Sequence, residues 1–336
     1  MPEPGLGEGA IVARGLTKVY NGKLTAVDHI DLDVMEGEVF ALLGPNGAGK
    51  STTIGMLTTL IKPTEGRAVV GGYDVSSQPE MVRRTIGVVP QEYTADEDLT
   101  GWENLTFIAS LYGIPGAEAR RRAQELLEMV ELSRFARTKV EAYSGGMRRR
   151  LEIAMGLINS PRILFLDEPT LGLDVQTRTA IWSYIGKLKE EYGMTILFTT
   201  HYMEEADLYA TRIAIMDRGK IVKIGTPREL KESIGGDVVT LAVDNQAAAV
   251  ELLRSLGVDP REYEGSLVFK LRDASTALPE LIRALMESGI QVKRMEVSEP
   301  TMDEVYMEYT GRRLRDAQAS SEEMFAMRAT LRRARS

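Results

Sequence analysis

Hydrophobic and polar positions change period several times along this chain, and each change marks an element. Residues Ile11 to Tyr20 read as a first strand, and Ile30, Leu32 and Val34 alternate with Asp31 and Asp33, the two-residue period of a half-buried strand. Glu36-Gly37 turns into the apolar run Val39-Phe40-Ala41-Leu42-Leu43, a buried strand. That run stops at Gly44-Pro45-Asn46-Gly47-Ala48-Gly49-Lys50-Ser51-Thr52, after which helical spacing continues through Met56, Leu57 and Leu60. Pro63-Thr64-Glu65-Gly66 reads as a turn and Ile86 to Val89 as another strand, which leaves Gln91 at a strand's carboxyl end.

From residue 93 to about 160 the texture is helical. Thr100 and Glu103 form a capping-box pattern, and Glu118 to Val130 and Met147 to Ile158 carry helical spacing. Strand and helix then alternate: Ile163 to Leu166, Val175 to Tyr192, Thr195 to Phe198, Met203 to Ala210, Arg212 to Met216 and Lys220 to Ile224. Such alternation predicts an α/β fold with a mostly parallel core sheet covered on both faces, beside an antiparallel β region and a helical subdomain. Gly235-Gly236 closes this domain, which spans 11–236 with the helical subdomain at about 93–160. Residues 237–312 form a smaller α+β domain whose order, βαββαβ, predicts a ferredoxin-like fold, with a helix from Ser298 to Arg312. Residues 313–336 are a basic tail. Met324, Met327, Leu331 and Ala334 make a stripe beside Arg328, Arg332 and Arg335, so the tail reads either as a disordered, solvated segment or as a helix for a membrane surface or partner.

Length and charge narrow the partners. With 336 residues the chain holds about two domains, and its net charge of -8 disfavours nucleic acid as a partner. It contains no cysteine, which excludes disulfides, thiolate metal sites and a cysteine nucleophile. Met1 to Ala10 lacks the basic and then apolar character of an export signal, and no apolar run reaches the roughly 18 residues of a membrane helix. A cytoplasmic chain that meets a membrane only through a partner is the expectation.

The glycine-rich turn carries the first chemistry. Its spacing fits G-x-x-x-x-G-K-[ST], in which bare backbone amides wrap phosphates that side chains would keep away. The helix N-terminus adds partial positive charge, Lys50 can reach the outer phosphates, and the Ser51 hydroxyl can hold Mg²⁺. A turn that only caps a helix is the plainer alternative, and Lys and Ser in register after a strand argue against it. Ile163-Leu164-Phe165-Leu166-Asp167-Glu168 then puts two carboxylates at the carboxyl end of a buried strand, Asp167 for Mg²⁺ and Glu168 to orient or deprotonate the attacking water. Tyr143-Ser144-Gly145-Gly146-Met147, before a helix, offers a second set of amides to an anion. The N-K-x-D pattern of guanine-specific proteins is not found.

The order of these motifs over about residues 11–235 resembles the ATP-binding subunit of the ABC transporter family. The resemblance implies ATP and Mg²⁺ as ligands, ATP hydrolysis, and a dimer in which the Ser144-Gly145-Gly146 corner of one subunit closes over ATP held by the other. It further implies that Tyr20 stacks on adenine, Gln91 senses Mg²⁺ and the transmembrane partner, Asp174 crosses the dimer interface, and His201 bonds the γ-phosphate. Each has a blander reading: a core aromatic for Tyr20, surface residues for Gln91 and Asp174, a structural histidine for His201. One departure stands out. Many family members have glutamine where this chain has Met147, followed by Arg148-Arg149-Arg150. Methionine there, with the stretch from Ser298 to Gly311, is similar to the ABC-2 type branch of drug and polyketide (daunorubicin resistance) exporters, which implies a six-helix membrane permease as partner. Two rivals are weighed. A soluble ABC-type ATPase acting on nucleic acid or ribosomes would carry paired nucleotide domains, a coiled-coil insertion or zinc modules; an importer subunit would carry an all-β regulatory domain.

Overall fold

The computed structural model describes residues 9–311 apart from 264 and 299, and it divides into two compact units between Lys223 and Ile224. The expectations for the tail and for Arg312 lie outside the described residues. In the first unit the chain runs β1 (Ile11–Tyr20), β2 (Leu24–Val34), β3 (Val39–Leu43), α1 (Lys50–Leu57), β4 (Glu65–Val70), β5 (Tyr73–Asp74), α2 (Pro79–Thr85) and β6 (Ile86–Val89). Three longer helices follow, α3 (Gly101–Leu111), α4 (Gly116–Met129) and α5 (Gly145–Leu157). Then come β7 (Ile163–Asp167), α6 (Val175–Tyr192), β8 (Thr195–Thr200), α7 (Met203–Tyr209), β9 (Arg212–Asp217) and β10 (Lys220–Gly225).

The core sheet has the order β10-β9-β3-β8-β7-β6, and β3 pairs in parallel with both β8 and β9. β7 likewise runs parallel to β8 and β6. All five residues of β3 and all five of β7 are buried, as strands covered on both faces require. Because these strands are parallel, the segments after β3, β6, β7 and β8 all leave at the same edge. That edge gathers the phosphate loop, Gln91, Asp167-Glu168 and His201. A second sheet, β2-β1-β4-β5, is antiparallel.

Two local expectations are corrected. α1 ends at Leu57, not beyond Leu60, because Thr59 turns at φ 66° and the Ile61 amide bonds back to the Gly55 carbonyl at 2.8 Å, a helix-terminating geometry. Leu60 is left 73% exposed. The turn read at Pro63 to Gly66 is shorter, since Glu65 already pairs with Thr17 of β1 and opens β4.

In the second unit α8 (Pro227–Ser233) leads into β11 (Asp237–Val243), α9 (Gln246–Ser255), β12 (Arg261–Tyr263), β13 (Ser266–Leu271), α10 (Ala274–Glu287), β14 (Val292–Ser298) and α11 (Met302–Thr310). The antiparallel order β12-β13-β11-β14, with two helices packed on it, is the ferredoxin-like arrangement. Val239, Leu241, Leu253, Leu267, Phe269 and Leu285 form its core. The division at Lys223 precedes the boundary expected after Gly236, because α8 packs on α11: the Tyr309 hydroxyl bonds Ser233 Oγ at 2.7 Å.

Leu253 on α9 is fully buried, whereas Leu256 just after it is 48% exposed. Leu253→Ala is therefore expected to cost about 2–5 kcal/mol in denaturant unfolding, and Leu256→Ala less than about 0.5 kcal/mol. Equal losses would contradict this assignment of the core.

Candidate functional site

The phosphate loop between β3 and α1 is shaped by two glycines. A Cβ on Gly44 would stand 2.3 Å from the Met216 carbonyl oxygen, so no larger residue fits there. Gly49 adopts φ 106°, and a Cβ there would meet the Ala26 carbonyl oxygen at 2.5 Å. The Ala48 amide bonds the Pro45 carbonyl at 3.1 Å, and the Ala48 carbonyl accepts from the Gly219 amide at 2.9 Å, which fastens the loop to the turn after β9. α1 has no side-chain cap, so the amides of its first turn, Lys50, Ser51 and Thr52, have no intrahelical acceptor.

Next to this loop lies a bonded group of charges. Lys50 Nζ donates to the Gly44 and Pro45 carbonyls at 2.8 and 3.2 Å and lies 3.1 Å from Glu168 Oε1. Lys50 is 4% and Glu168 6% exposed, so each charge needs the other. Burial pulls the Lys50 ammonium below its ordinary value, against the opposing pull of Glu168 and Asp167. Burial pushes the Glu168 carboxyl up, but the hydrogen bond from His201 and the Lys50 charge outweigh it and hold it below the ordinary glutamate value. His201 Nδ1 stands 2.7 Å from Glu168 Oε2; an ionised carboxylate only accepts, so the ring donates. Glu168 sits at φ 48°, a left-handed conformation that non-glycine residues rarely adopt, and its amide bonds Thr199 Oγ1 at 2.9 Å. Asp167 Oδ1 accepts from Ser51 Oγ at 3.2 Å and from Thr199 Oγ1 at 2.5 Å.

A second group forms around α5. Ser144 caps it, its hydroxyl accepting from the Met147 amide at 3.3 Å, and both Ser144 and Gly145 are exposed. A Cβ on Gly146 would lie 2.5 Å from Thr177 Cγ2, so a larger residue there would have to push Thr177 aside. Thr177 in turn donates its amide and hydroxyl to Asp174 at 3.0 and 2.7 Å, which caps α6 and holds the Asp174 carboxyl below its ordinary value. Thr177 thus joins Asp174 to the serine-glycine corner, a link the sequence reading missed.

Two more missed residues stand on α5. Arg149, 1% exposed, donates to the carbonyls of Pro90 and Gln91, both at 2.8 Å. Glu152, 2% exposed, accepts from the Thr94 and Ala95 amides at 2.6 and 2.7 Å and from the Thr94 hydroxyl at 2.7 Å. Tyr93 adds a hydroxyl bond to the Gly145 carbonyl at 3.4 Å. The segment carrying Gln91 is therefore clamped to the helix carrying Ser144. The available signal was a pair of opposite charges three apart, Arg149 and Glu152, among the apolar positions of that helix. Another buried acid, Glu205, accepts from the hydroxyls of Thr170 and Thr200 and so ties the turn after Glu168 to the segment of His201.

The structure thus unites Lys50, Ser51, Asp167, Glu168 and His201, and separately Ser144, Gly145, Gly146 and Asp174. Gln91 is exposed and joins the second group through its backbone. Tyr20 stands in neither group; it ends β1, half-buried, with Lys18 Nζ 5.2 Å from its ring centre. A cavity of about 690 Å³ opens near Arg162, Ile163 and Thr195, at the other ends of the strands. Its Arg121 and Arg122 are already paired with Glu118, so it offers no free charge to a phosphate.

Residues 27–171 match the ABC transporter family, and residues 225–310 match the C-terminal domain of DrrA1-3-like ATP-binding proteins. The chain is 42% identical to the daunorubicin resistance ATP-binding protein DrrA3 of Streptomyces coeruleorubidus, over 92% of this chain and 98% of that protein. It is 39% identical to the linearmycin resistance ATP-binding protein LnrL of Bacillus subtilis (90% and 99%) and 38% identical to the Nod factor export ATP-binding protein I of Ralstonia nicotianae (94% and 98%). Among solved structures it is similar to a dimeric post-hydrolysis ATP-binding cassette bound to ADP and Pi, with TM-score 0.59 and 33% identity over 65% of this chain and 98% of that one.

Removing Glu152 strands the buried Ala95 amide, at about 1–3 kcal/mol, while the two donors of exposed Thr94 can turn to water. Glu152→Ala is expected to destabilise the chain by about 1–3 kcal/mol and to speed amide hydrogen exchange at Thr94 and Ala95. Unchanged protection of those two amides would remove Glu152 from this role.

Proposed function

The chain belongs to the ABC transporter family, as an ATP-hydrolysing subunit that powers export through a separate transmembrane partner, and we propose that the Lys50–Glu168 group is its hydrolytic centre. The carrying observation is the 3.1 Å contact between Lys50 and Glu168, beside a loop in which positions 44 and 49 accept only glycine. In this reading Lys50 neutralises the outer phosphates of ATP, assisted by the first-turn amides of α1 and the helix dipole. Phosphate oxygens then compete with Glu168 for the ammonium, which frees the Glu168 carboxylate to accept a proton from water. In the same reading His201, bonded to that carboxylate, would bond the γ-phosphate, and Tyr20 would stack on adenine.

The donor set also fits Mg²⁺. Ser51 Oγ and Asp167 Oδ1, 3.2 Å apart, are hard oxygen ligands, and Gln91 would complete the approach. Among the described residues no group of three acids or histidines forms a self-sufficient metal cage, as suits an ion shared with the phosphates. Bound there, Mg²⁺ would neutralise charge developing on the β- and γ-phosphates.

Two such subunits enclose ATP when Ser144, Gly145 and Gly146 of one meet the phosphates held by the other, with Asp174 at the interface. The clamp of Arg149 and Glu152 makes Gln91 and Ser144 move as one body. A groove of about 680 Å³ beside this clamp, lined by Thr58, Leu60, Arg83, Ile108, Tyr112 and Met155, suits a docking element of a six-helix ABC-2 type permease. Among the described residues no helix is long and apolar enough to cross a membrane, so the pathway belongs to that partner. Attachment at the inner membrane face follows from this docking. The drug resistance relatives support a drug-type small molecule as cargo. Co-expression with its transmembrane partner should then give a sensitive host resistance that Lys50→Ala removes; full resistance in that variant would refute the reading.

Replacing Glu168 by Gln keeps the shape and removes the base. Turnover should fall roughly 10²–10⁴-fold while ATP binding persists, as read by phosphate release and nucleotide retention. Wild-type turnover would exclude Glu168 from base catalysis.

A further inference from the structure

β14 ends the sheet of the second unit. It pairs with β11 on one side, and the residues from Lys293 to Ser298 are all exposed. Its register places Met295 opposite Leu241 and Val297 opposite Val239, so these two apolar side chains lie on the core face, yet they remain 40% and 44% exposed. Arg294 and Glu296 share the other face and form an ion pair along the strand.

We propose that β14 is an interface between two copies of this chain, joined by antiparallel β14–β14 pairing centred on Met295 into one continuous eight-stranded sheet. The argument is one of register. A two-fold axis perpendicular to a sheet keeps each side chain on its own face, so only residues an even number apart can stand opposite each other. Centring on Met295 sets each Arg294 against the second copy's Glu296, twice, and Met295 against its own equivalent. Centring on Arg294 or Glu296 instead sets like charges face to face, which opposes pairing. Centring on Val297 avoids that clash but sets Glu296 against Ser298 and makes no ion pair across the seam. The strand's charges therefore favour the Met295 register, which also covers Met295. Scattered charge on an edge is a common guard against pairing; here its order is self-complementary. The pairing involves no nucleotide residue, so it and the ATP sandwich can fail separately.

The chain has no cysteine, so Met295→Cys introduces the only thiol. Directly opposite strand residues come close enough for a disulfide. In the full-length protein, mild oxidation should link Met295→Cys into a covalent dimer at least tenfold faster than Leu256→Cys, with or without ATP. Adding Arg294→Glu should suppress the link at least tenfold, and the swap Arg294→Glu with Glu296→Arg should restore it; all altered positions are exposed, and thermal unfolding confirms the fold. Linking no faster than Leu256→Cys would overturn the proposal and point to another occupant of the edge. Insensitivity to Arg294→Glu would also overturn it, leaving the charges as guards alone.

Discussion

A buried ammonium cannot stand alone, and the first unit is organised around satisfying the one on Lys50. Its contacts reach the Gly44 and Pro45 carbonyls behind it and Glu168 across from it, while burial and the Glu168 carboxylate pull its titration in opposite directions. Parallel pairing of β3 with β8, and of β8 with β7, is what brings these groups within reach, because it delivers every loop to one sheet edge. In the proposed mechanism the same constraint makes the site responsive: a phosphate that took the ammonium would release a carboxylate already held by His201.

The serine-glycine corner obeys a different constraint, that of close approach. Gly146 admits the Thr177 methyl, and Asp174 caps α6 by accepting from Thr177, so α5 and α6 approach closely at this point. Arg149 and Glu152 carry this rigidity to the backbone around Gln91. Buried charges of this kind add little net stability over apolar packing, but breaking them is expensive, so they specify one arrangement. That property suits a part that must transmit motion rather than absorb it.

Much of this was legible in the sequence because its signals are local. The run Val39–Leu43 and the glycines after it fix a strand and a turn by steric rules alone, and Thr100 announces a helix start through a capping box that forms as Glu103 suggests. The helix expected from Ser298 starts only at Met302, because β14 pairing with β11 holds the chain extended through Ser298. The helix end at Leu57 was not legible, since it depends on Thr59 turning left-handed and on a bond from Ile61. β4 was hidden by Gly66, and the pairing of Glu65 and Arg67 with β1 is a tertiary matter. Arg149 and Glu152 were obscure because their partners lie more than fifty residues upstream. The place of α8 escaped notice for the same reason: α11, which it packs against, comes far later in the chain.

Everything rests on one loop gripping the triphosphate and a second subunit's corner completing the enclosure. The most direct measurement is a structure of the full-length protein with its permease and a non-hydrolysable ATP analogue with Mg²⁺. The account predicts Ser144 Oγ of one subunit within about 3 Å of a γ-phosphate oxygen whose other contact is Lys50 of its neighbour. A Ser144 still facing solvent in that complex, with the nucleotide held by one subunit alone, would contradict it.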